Sequence, residues 1–564
     1  MKNETEVLLP AVGPEQLSFA WQLLQRCREG KHNLERRIIE NAQWYRLRHW
    51  ECMRRAGEGK REVEPTSAWL FNCIMNKHAE ALDAYPSPAF LPREARDRQE
   101  ARMLSAIVPV VLERNDFEEV YSRVWDDKLK GGTGVYGVFW DRDALGGLGD
   151  IAIRKVDVLN LYWDPGVTDI QSSRNLFHVE LTDNDLLLEK YPQLQGKLGD
   201  PLSPSRYLYD DTVDVSHKTP VVDWYYKRCG VLHYCKFVGQ EVLWATENEE
   251  SFRDRGLYDH GKFPFVFDAC FRMEGSPCGF SYIDVGKSAQ EYIDRGNQAI
   301  LMNMLANARP RHFIRTDGAV NEEEYADLTR DFIHVDGNLG RDSIIPVQGK
   351  TLSSIYVQVI QDKIDELKET TGNRDISAGG TSGGVTAASA ITAMQEAGSK
   401  LTRDQNRASY RAFRKVCELI VELMRQFYTA PRCFRILGEG SGEEFINYSN
   451  GGLQLQGQGN ALYKPVFDIQ ITAQKHSPYA RLSQNELAMQ FYTAGFFDPV
   501  RAEQALACLE MMDFDRKDFV MQSVVRNAIA MERRSMAPAA MAERSAEPAG
   551  VVQAKRRVAE SGNP

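Results

Sequence analysis

Apolar residues recur every three or four positions through most of this chain, and glycine, proline and polar runs cut that rhythm into separate helices. From about Gly13 to Arg55 the repeat is carried by Trp21, Leu24, Leu34, Ile38, Ile39 and Trp44. A second helix is expected over Thr66–Ala84, stopped near Pro86. A third is expected over Arg93–Asp127, where Leu104, Ile107, Val108, Val111 and Leu112 form one face. The pattern then changes to β-rich runs. Val135–Trp140 and Ile151–Ile153 flank Gly146-Gly147, and Val156–Trp163 closes at Asp164-Pro165-Gly166. Val221–Tyr226, Val231–Phe237 and Glu241–Ala245 read as a meander turning at Cys229-Gly230 and Gly239-Gln240. Helices followed by antiparallel strands give the first half an α+β order.

Longer helices dominate the second half. Ser281–Arg309 carries Ile283, Gln290, Ile293, Asn297, Ile300, Met304 and Asn307 at helical spacing, and Pro310 ends it. At about 1.5 Å per residue it would reach roughly 40 Å. A small mixed segment follows, with His312–Ile314, Glu322–Arg330, Phe332–Val335 and Ile344–Pro346 as its elements. It is too short to hold a large core of its own. A helix returns over Ser353–Thr371, with Ile360, Ile364 and Leu367 on one face. A Gly/Ser/Thr run then leads into a helix expected over Thr386–Tyr428, roughly 65 Å long. Its middle, Thr402–Ser409, is polar, which suits a subunit boundary, solvent or a kink. Phe467–Thr472 reads as a strand, and Leu482–Ala530 as helix broken at Gly495 and Asp498-Pro499. From Ser535 onward the chain is rich in Ala, Pro, Ser, Glu and Arg, a disordered composition.

Composition narrows the function classes. The 564 residues allow several domains, and 43% hydrophobic with 26% charged residues is ordinary for a soluble protein. A net charge of -10 argues against a strongly basic nucleic-acid binder. It is compatible with a protein that lets DNA slide past, since phosphate repulsion opposes sticking. No apolar run is long enough for a membrane-spanning helix, and the N-terminus lacks a secretory pattern. The 10 cysteines are scattered, and the spacings of Cys229/Cys235 and Cys270/Cys278 are unlike a zinc knuckle. Reduced, partly buried thiols are expected.

Several short patterns imitate catalytic motifs. Gly132-Thr-Gly134-Val-Tyr-Gly137 fits GxGxxG, but its order is helix, glycines, strand, the reverse of a dinucleotide fingerprint. A tight turn with close backbone packing is the better reading. Gly286-Lys287-Ser288 resembles the end of a P-loop, yet Ser281 stands where the first glycine belongs. Gly380-Thr-Ser382-Gly-Gly384 fits GxSxG, but it follows a helix and a loop rather than a strand. The histidines form no zinc pattern, and Asp126-Asp127 and Asp210-Asp211 read as solvated surface. No metal, cofactor or catalytic residue is assigned, and the chain is not read as an enzyme.

What remains is an order of elements, and that order resembles the portal proteins (head-to-tail connectors) of tailed bacteriophages. The likeness runs from about Trp21 to Asn527. It includes Asn41-Ala-Gln-Trp44-Tyr45, Val156-Asp-Val-Leu-Asn160-Leu-Tyr-Trp163-Asp164-Pro165, the Gln/Asn-rich helix from Gln290 to Asn307 before a proline, and the glycine loop before a long helix. The resemblance implies a multi-domain α+β subunit in a ring, of twelve copies in that family's usual form. Residues 1–280 would be N-terminal helices and a β-rich wing, 281–310 and 351–372 two stem helices, and 311–350 a clip. Residues 373–385 would be a tunnel loop, 386–428 a long wing helix, 429–481 wing return strands, 482–534 a helical crown and 535–564 a disordered tail. The loop residues implied to face DNA are Asn373, Arg374, Asp375, Ser377, Gly379, Gly380, Thr381, Ser382, Gly383 and Gly384. Implied partners are other copies of the chain, double-stranded DNA passed without sequence preference, the large terminase, a tail adaptor, and capsid and scaffolding proteins, with no membrane. The implied location is the capsid portal vertex of the virion, after assembly in the host bacterial cytoplasm.

Independently of any resemblance, two amphipathic helices around a small insert cannot bury their faces alone, whereas neighbours in a ring can bury them. Two rival readings are another oligomeric head–tail protein, such as an adaptor, and a DNA-processing enzyme, such as an ATPase. Adaptors are generally much shorter, and the missing P-loop argues against the enzyme.

Overall fold

The structure is a computed structural model. It describes residues 12–54, 57, 59, 63–198, 217–308, 312–314, 321–326, 334, 344–346, 353–373, 400–437, 443–454, 456–458, 461–475, 487–510 and 520–531. The chain divides into two compact units, Met1–Gln474 and Lys475–Pro564.

In the first unit, helix α1 (Pro14–Tyr45) begins with proline at its first turn, and α2 (His49–Met53) follows a short break. Helix α3 (Trp69–Leu82) leads into strand β1 (Ala84–Pro92), which pairs with the late strand β18 (Phe467–Lys475). Three prolines, Pro86, Pro88 and Pro92, hide β1 from a period-two reading, and proline is tolerated there because this sheet has only two strands. The helix expected over Arg93–Asp127 is two helices, α4 (Arg98–Arg114) and α5 (Phe117–Gly131). Asn115 makes the break. Its amide donates to the carbonyls of Val111 at 2.8 Å and Ile151 at 3.0 Å, and its oxygen accepts from the Ile153 amide at 2.9 Å. Asp116 beside it takes a left-handed conformation, φ 47°.

Two antiparallel sheets form the β body. The first has the order β3 (Asp150–Val156), β2 (Thr133–Asp141), β9 (Phe265–Ala269), with Val138 opposite Ile153 and Val135 opposite Phe267. The second runs β4 (Leu161–Trp163), β5 (Asn175–Asp183), β6 (Lys218–Arg228), β7 (Val231–Val238), β8 (Glu241–Ala245) in chain order. The expected turn at Cys229-Gly230 is present, with both residues at positive φ (49° and 83°). α1 covers one face of this sheet, where Leu17, Ala20, Leu24 and Cys27 meet Phe177, Trp224 and Phe237. Lys31 of the same helix is buried and donates to the carbonyls of Val158 and Leu161, the latter at 2.7 Å.

The main core lies between α4, α5, the three-stranded sheet and α10 (Lys400–Phe427), with Leu104, Val108, Tyr121, Phe413, Val416 and Ile420 fully enclosed. Of the helix expected over Thr386–Tyr428, residues 386–399 lie outside the described residues. Helices α7 (Tyr282–Ala308) and α9 (Ile355–Thr371) match the expected pair closely. Between them, β12 (His312–Ile314) and β13 (Ile344–Pro346) pair antiparallel, with Phe313 opposite Ile345. Helix α8 (Glu322–Ala326) lies between those strands in sequence. Most of the expected Phe332–Val335 strand falls outside the described residues. In the second unit, helical residues 487–493, Ala502–Glu510 and 520–531 share a small core of Phe491, Ala505, Leu509 and Val524, with Gly495 at φ 76° in the first break. Residues 535–564, expected to be disordered, lie outside the described residues.

The GxGxxG run is a helix cap at Gly132 leading straight into closely packed strand β2. Gly132 caps α5 at φ 87°, and a methyl group on Gly134 would fall on the carbonyl oxygen of Val124. Gly134→Ala should therefore lose about 2–4 kcal/mol in urea denaturation. Gly166→Ala, at φ 80° in open space, should lose only about 1–2 kcal/mol.

Burial pulls the Lys31 ammonium down to about 8 from its ordinary 10.5. The unfolded chain then holds that proton more tightly, so stability is lower below pH 8 and rises as pH climbs from about 8 toward 10.5. Lys31→Met should remove that rise, read as the difference between denaturation midpoints of the two proteins at pH 7.5 and pH 9.5.

Candidate functional site

The paired helices α7 and α9 are fixed at one end by a polar stripe. Gln290, Asp294 and Gln298 stand four residues apart on α7, and all three are buried. Gln290 accepts from the Leu70 amide at 3.0 Å and donates to the Ser67 carbonyl at 2.8 Å. Asp294 accepts from the Ser67 amide and hydroxyl and pairs with His49 Nδ1 at 2.6 Å. Gln298 donates to the Val63 carbonyl at 2.7 Å. Asn41, in the quoted Asn-Ala-Gln-Trp-Tyr segment, donates to the Ser281 hydroxyl just before α7. Gln290, Asp294 and Gln298 of α7 thus hold the 63–70 segment and α2.

The other end of the pair is bare. Met302, Met304 and Leu305 on α7 and Ile355, Tyr356, Val357 and Val359 on α9 are each 44–63% exposed. Ile360 sits over Gly296, so the helices touch each other, and these side chains stay about half exposed beyond it.

A second polar cluster joins the end of α9 to the start of α10. α9 stops at Gly372, which takes φ 68°, and the Asn373 amide donates back to the Lys368 carbonyl. The buried ammonium of Lys77, on α3, reaches the Gly372 carbonyl at 3.3 Å, Thr402 Oγ1 at 2.9 Å and Glu80 Oε2 at 2.9 Å. Thr402 donates to the same Glu80 oxygen at 2.7 Å. Two turns along α10, Lys128 from α5 is fully buried and donates to Asp268 of β9 at 2.9 Å and Ser409 at 2.7 Å. Ser409 also donates to Asp268 at 2.5 Å. Tyr410 donates to the Ala84 carbonyl, and burial raises its phenol above the ordinary range. One side of the polar middle of this helix, Thr402, Gln405 and Ser409, is thus turned into the subunit, while Arg403, Asp404 and Arg407 face out. Thr402, Gln405 and Ser409 are buried because two lysines meet them from the body. The opposite, exposed side carries Arg403, Arg407, Arg411, Arg414 and Lys415.

Of the ten loop residues named from the sequence, Asn373 is described. It is buried, accepts from the Asn76 amide at 3.1 Å and donates to the Cys73 sulfur. Arg374, Asp375, Ser377, Gly379, Gly380, Thr381, Ser382, Gly383 and Gly384 lie outside the described residues, as does Asp210-Asp211. Lys287 of the P-loop-like run pairs with Glu40 at 3.2 Å. Asp126 and Asp127 pair with Lys130 and Lys155 rather than standing free in solvent. Among the described residues no group of acids, histidines and cysteines is arranged to hold a metal, and no helix is long and apolar enough to cross a membrane. All ten cysteines are free thiols. Sequence reasoning missed Lys77 and Lys128. The signal was present: each lysine occupies the core register of its helix, with Leu70, Ile74 and Ala81 around Lys77, and Tyr121, Val124 and Trp125 before Lys128.

A family model described as Phage P22-like portal protein matches residues 81–248 and 227–562 of the chain. No curated protein matches it.

The Lys128–Asp268 pair is testable by a double-mutant cycle. Lys128→Met alone should cost about 3–5 kcal/mol, because it leaves the Asp268 charge buried without its partner. Adding Asp268→Asn should recover at least a third of that loss, measured by denaturant unfolding.

Proposed function

This chain belongs to the phage P22-like portal protein family, and from that premise we propose that its copies close into a ring around a DNA channel at one capsid vertex. The observation that carries the proposal is the bare end of the α7–α9 pair. Seven apolar side chains there stay 44–63% exposed among the described residues, and a ring covers them by setting each pair against its neighbours. Each is already about half covered, so completing its burial contributes on the order of 1 kcal/mol.

On this reading 281–310 and 351–372 are the stem and 311–350 is the clip, which meets the terminase motor during packaging and the tail adaptor afterwards. The wing is built from 1–280 with 386–481, the crown from 482–534, and capsid and scaffolding proteins meet the outside of the ring. The 373–385 segment is the lip that DNA passes. Asn373 is its anchor on α3, and Arg374 with Asp375 is the transient phosphate contact. The chain's net charge of -10 fits a conduit that lets the duplex slide.

Particles of the wild-type chain should appear as closed rings with a central channel in negative-stain images. Val357→Asp with Val359→Asp should leave the subunit folded but monomeric by analytical ultracentrifugation. Wild-type monomers under assembly conditions would sink the ring. Deleting Gly379–Gly384 should spare ring assembly and lower packaged DNA per particle; normal packaging would remove the lip role.

A further inference from the structure

One side chain holds the end of α9 and a residue of α10 together. On α3, Cys73, Asn76, Lys77 and Glu80 lie on one face, at steps of three, one and three residues. The end of α9 rests on this face through Asn373, bonded to Asn76 and Cys73, and through the Gly372 carbonyl at 3.3 Å from Lys77 Nζ. Helix α10 rests on the same face through Thr402 Oγ1, at 2.9 Å from the same Nζ and 2.7 Å from Glu80. Lys77 is 3% exposed, so these bonds form where water does not compete. An ammonium has three hydrogens to give. Here they go to one carboxylate, one hydroxyl of α10 and one carbonyl at the end of α9.

We infer that Lys77 is a positioning residue for DNA passage: it joins Gly372, at the end of α9, to Thr402 of α10 and so holds these two helices at one fixed place on α3. The inference rests on the portal reading for its link to DNA, but the clamp itself is a property of the subunit. A lysine whose only role was to fill its site would stabilise the whole fold without linking two remote ends. Lys77 instead touches residues 295 and 325 positions away in sequence.

Hydrogen exchange of the full-length chain, followed by mass spectrometry, separates these cases. In Lys77→Met the amides of Gly372 and Asn373 and those of residues 404–409 should exchange about tenfold faster together, while α1 and β6 stay unchanged. A uniform rise over the whole fold, or a rise at one end only, would overturn the clamp. The milder Thr402→Val removes a single leg and guards against a misfolded Lys77 variant. It should still speed exchange at Gly372 and Asn373 by about threefold through the shared ammonium; no change there would also overturn the coupling. Packaged DNA per particle should fall with Lys77→Met. If both ends loosen and packaging stays normal, the clamp stands and the DNA-passage reading fails.

Discussion

Two lysines buried against one face of α10 constrain the rest of the first unit. Lys77 and Lys128 are 3% and 0% exposed, and ammonium groups are rarely placed there without full pairing. Each has a carboxylate partner and a hydroxyl of α10 within 3 Å. Because such bonds are directional and charge-assisted, they set the axial position and rotation of α10 more sharply than its apolar face does alone. Phe413, Val416 and Ile420 then enter the core with β2, β9, α4 and α5. Losing one partner would leave a buried charge, which ties the integrity of the β body to the first turns of this helix.

The α7–α9 pair divides its chemistry along its length. At the anchored end, Gln290, Asp294 and Gln298 make directional bonds to the backbone and side chains of residues 63–70 and to His49. At the bare end seven apolar side chains are about half exposed, among a few polar residues such as Asn307 and Gln358. Burying a glutamine or an aspartate is unfavourable unless each polar atom is satisfied, so these residues stabilise one geometry and penalise others. Methionine, valine and isoleucine demand only cover.

Much of this architecture was legible in the sequence. α7 and α9 were placed to within two residues at every boundary, because their apolar repeat is long and ends in proline or glycine. The β6–β7–β8 meander was found because its turns carry the residues that tolerate positive φ. The failures have specific causes. The Asn115 break was invisible because its side chain bonds to β3, a partner remote in sequence. β1 was lost because its prolines mask its pairing with a strand nearly four hundred residues later. The buried side of the polar stretch of α10 was not foreseen, because period and composition report polarity without reporting what meets it. Two lysines in apolar registers of α3 and α5 held the missing half of that information. Pairing a polar stripe on one helix with a misplaced charge on another would have identified the cluster.

The same contrast explains why the proposed assembly can combine rigidity with repetition. Inside the subunit, the polar base of α7 and the Lys77 cluster fix where the helix pair leaves the body and where the chain returns from it. Directional bonds suit that role, since a small error of angle at the base becomes a displacement of several ångströms at the far end of a helix about 40 Å long. Between subunits the demand differs. Every copy must accept its neighbour at whatever small variation in spacing the ring imposes, and non-directional apolar contact tolerates sliding that hydrogen bonds would not. Polar residues at the root and apolar residues at the tip are thus the distribution expected of a part whose orientation is set within one chain and whose cover comes from the next.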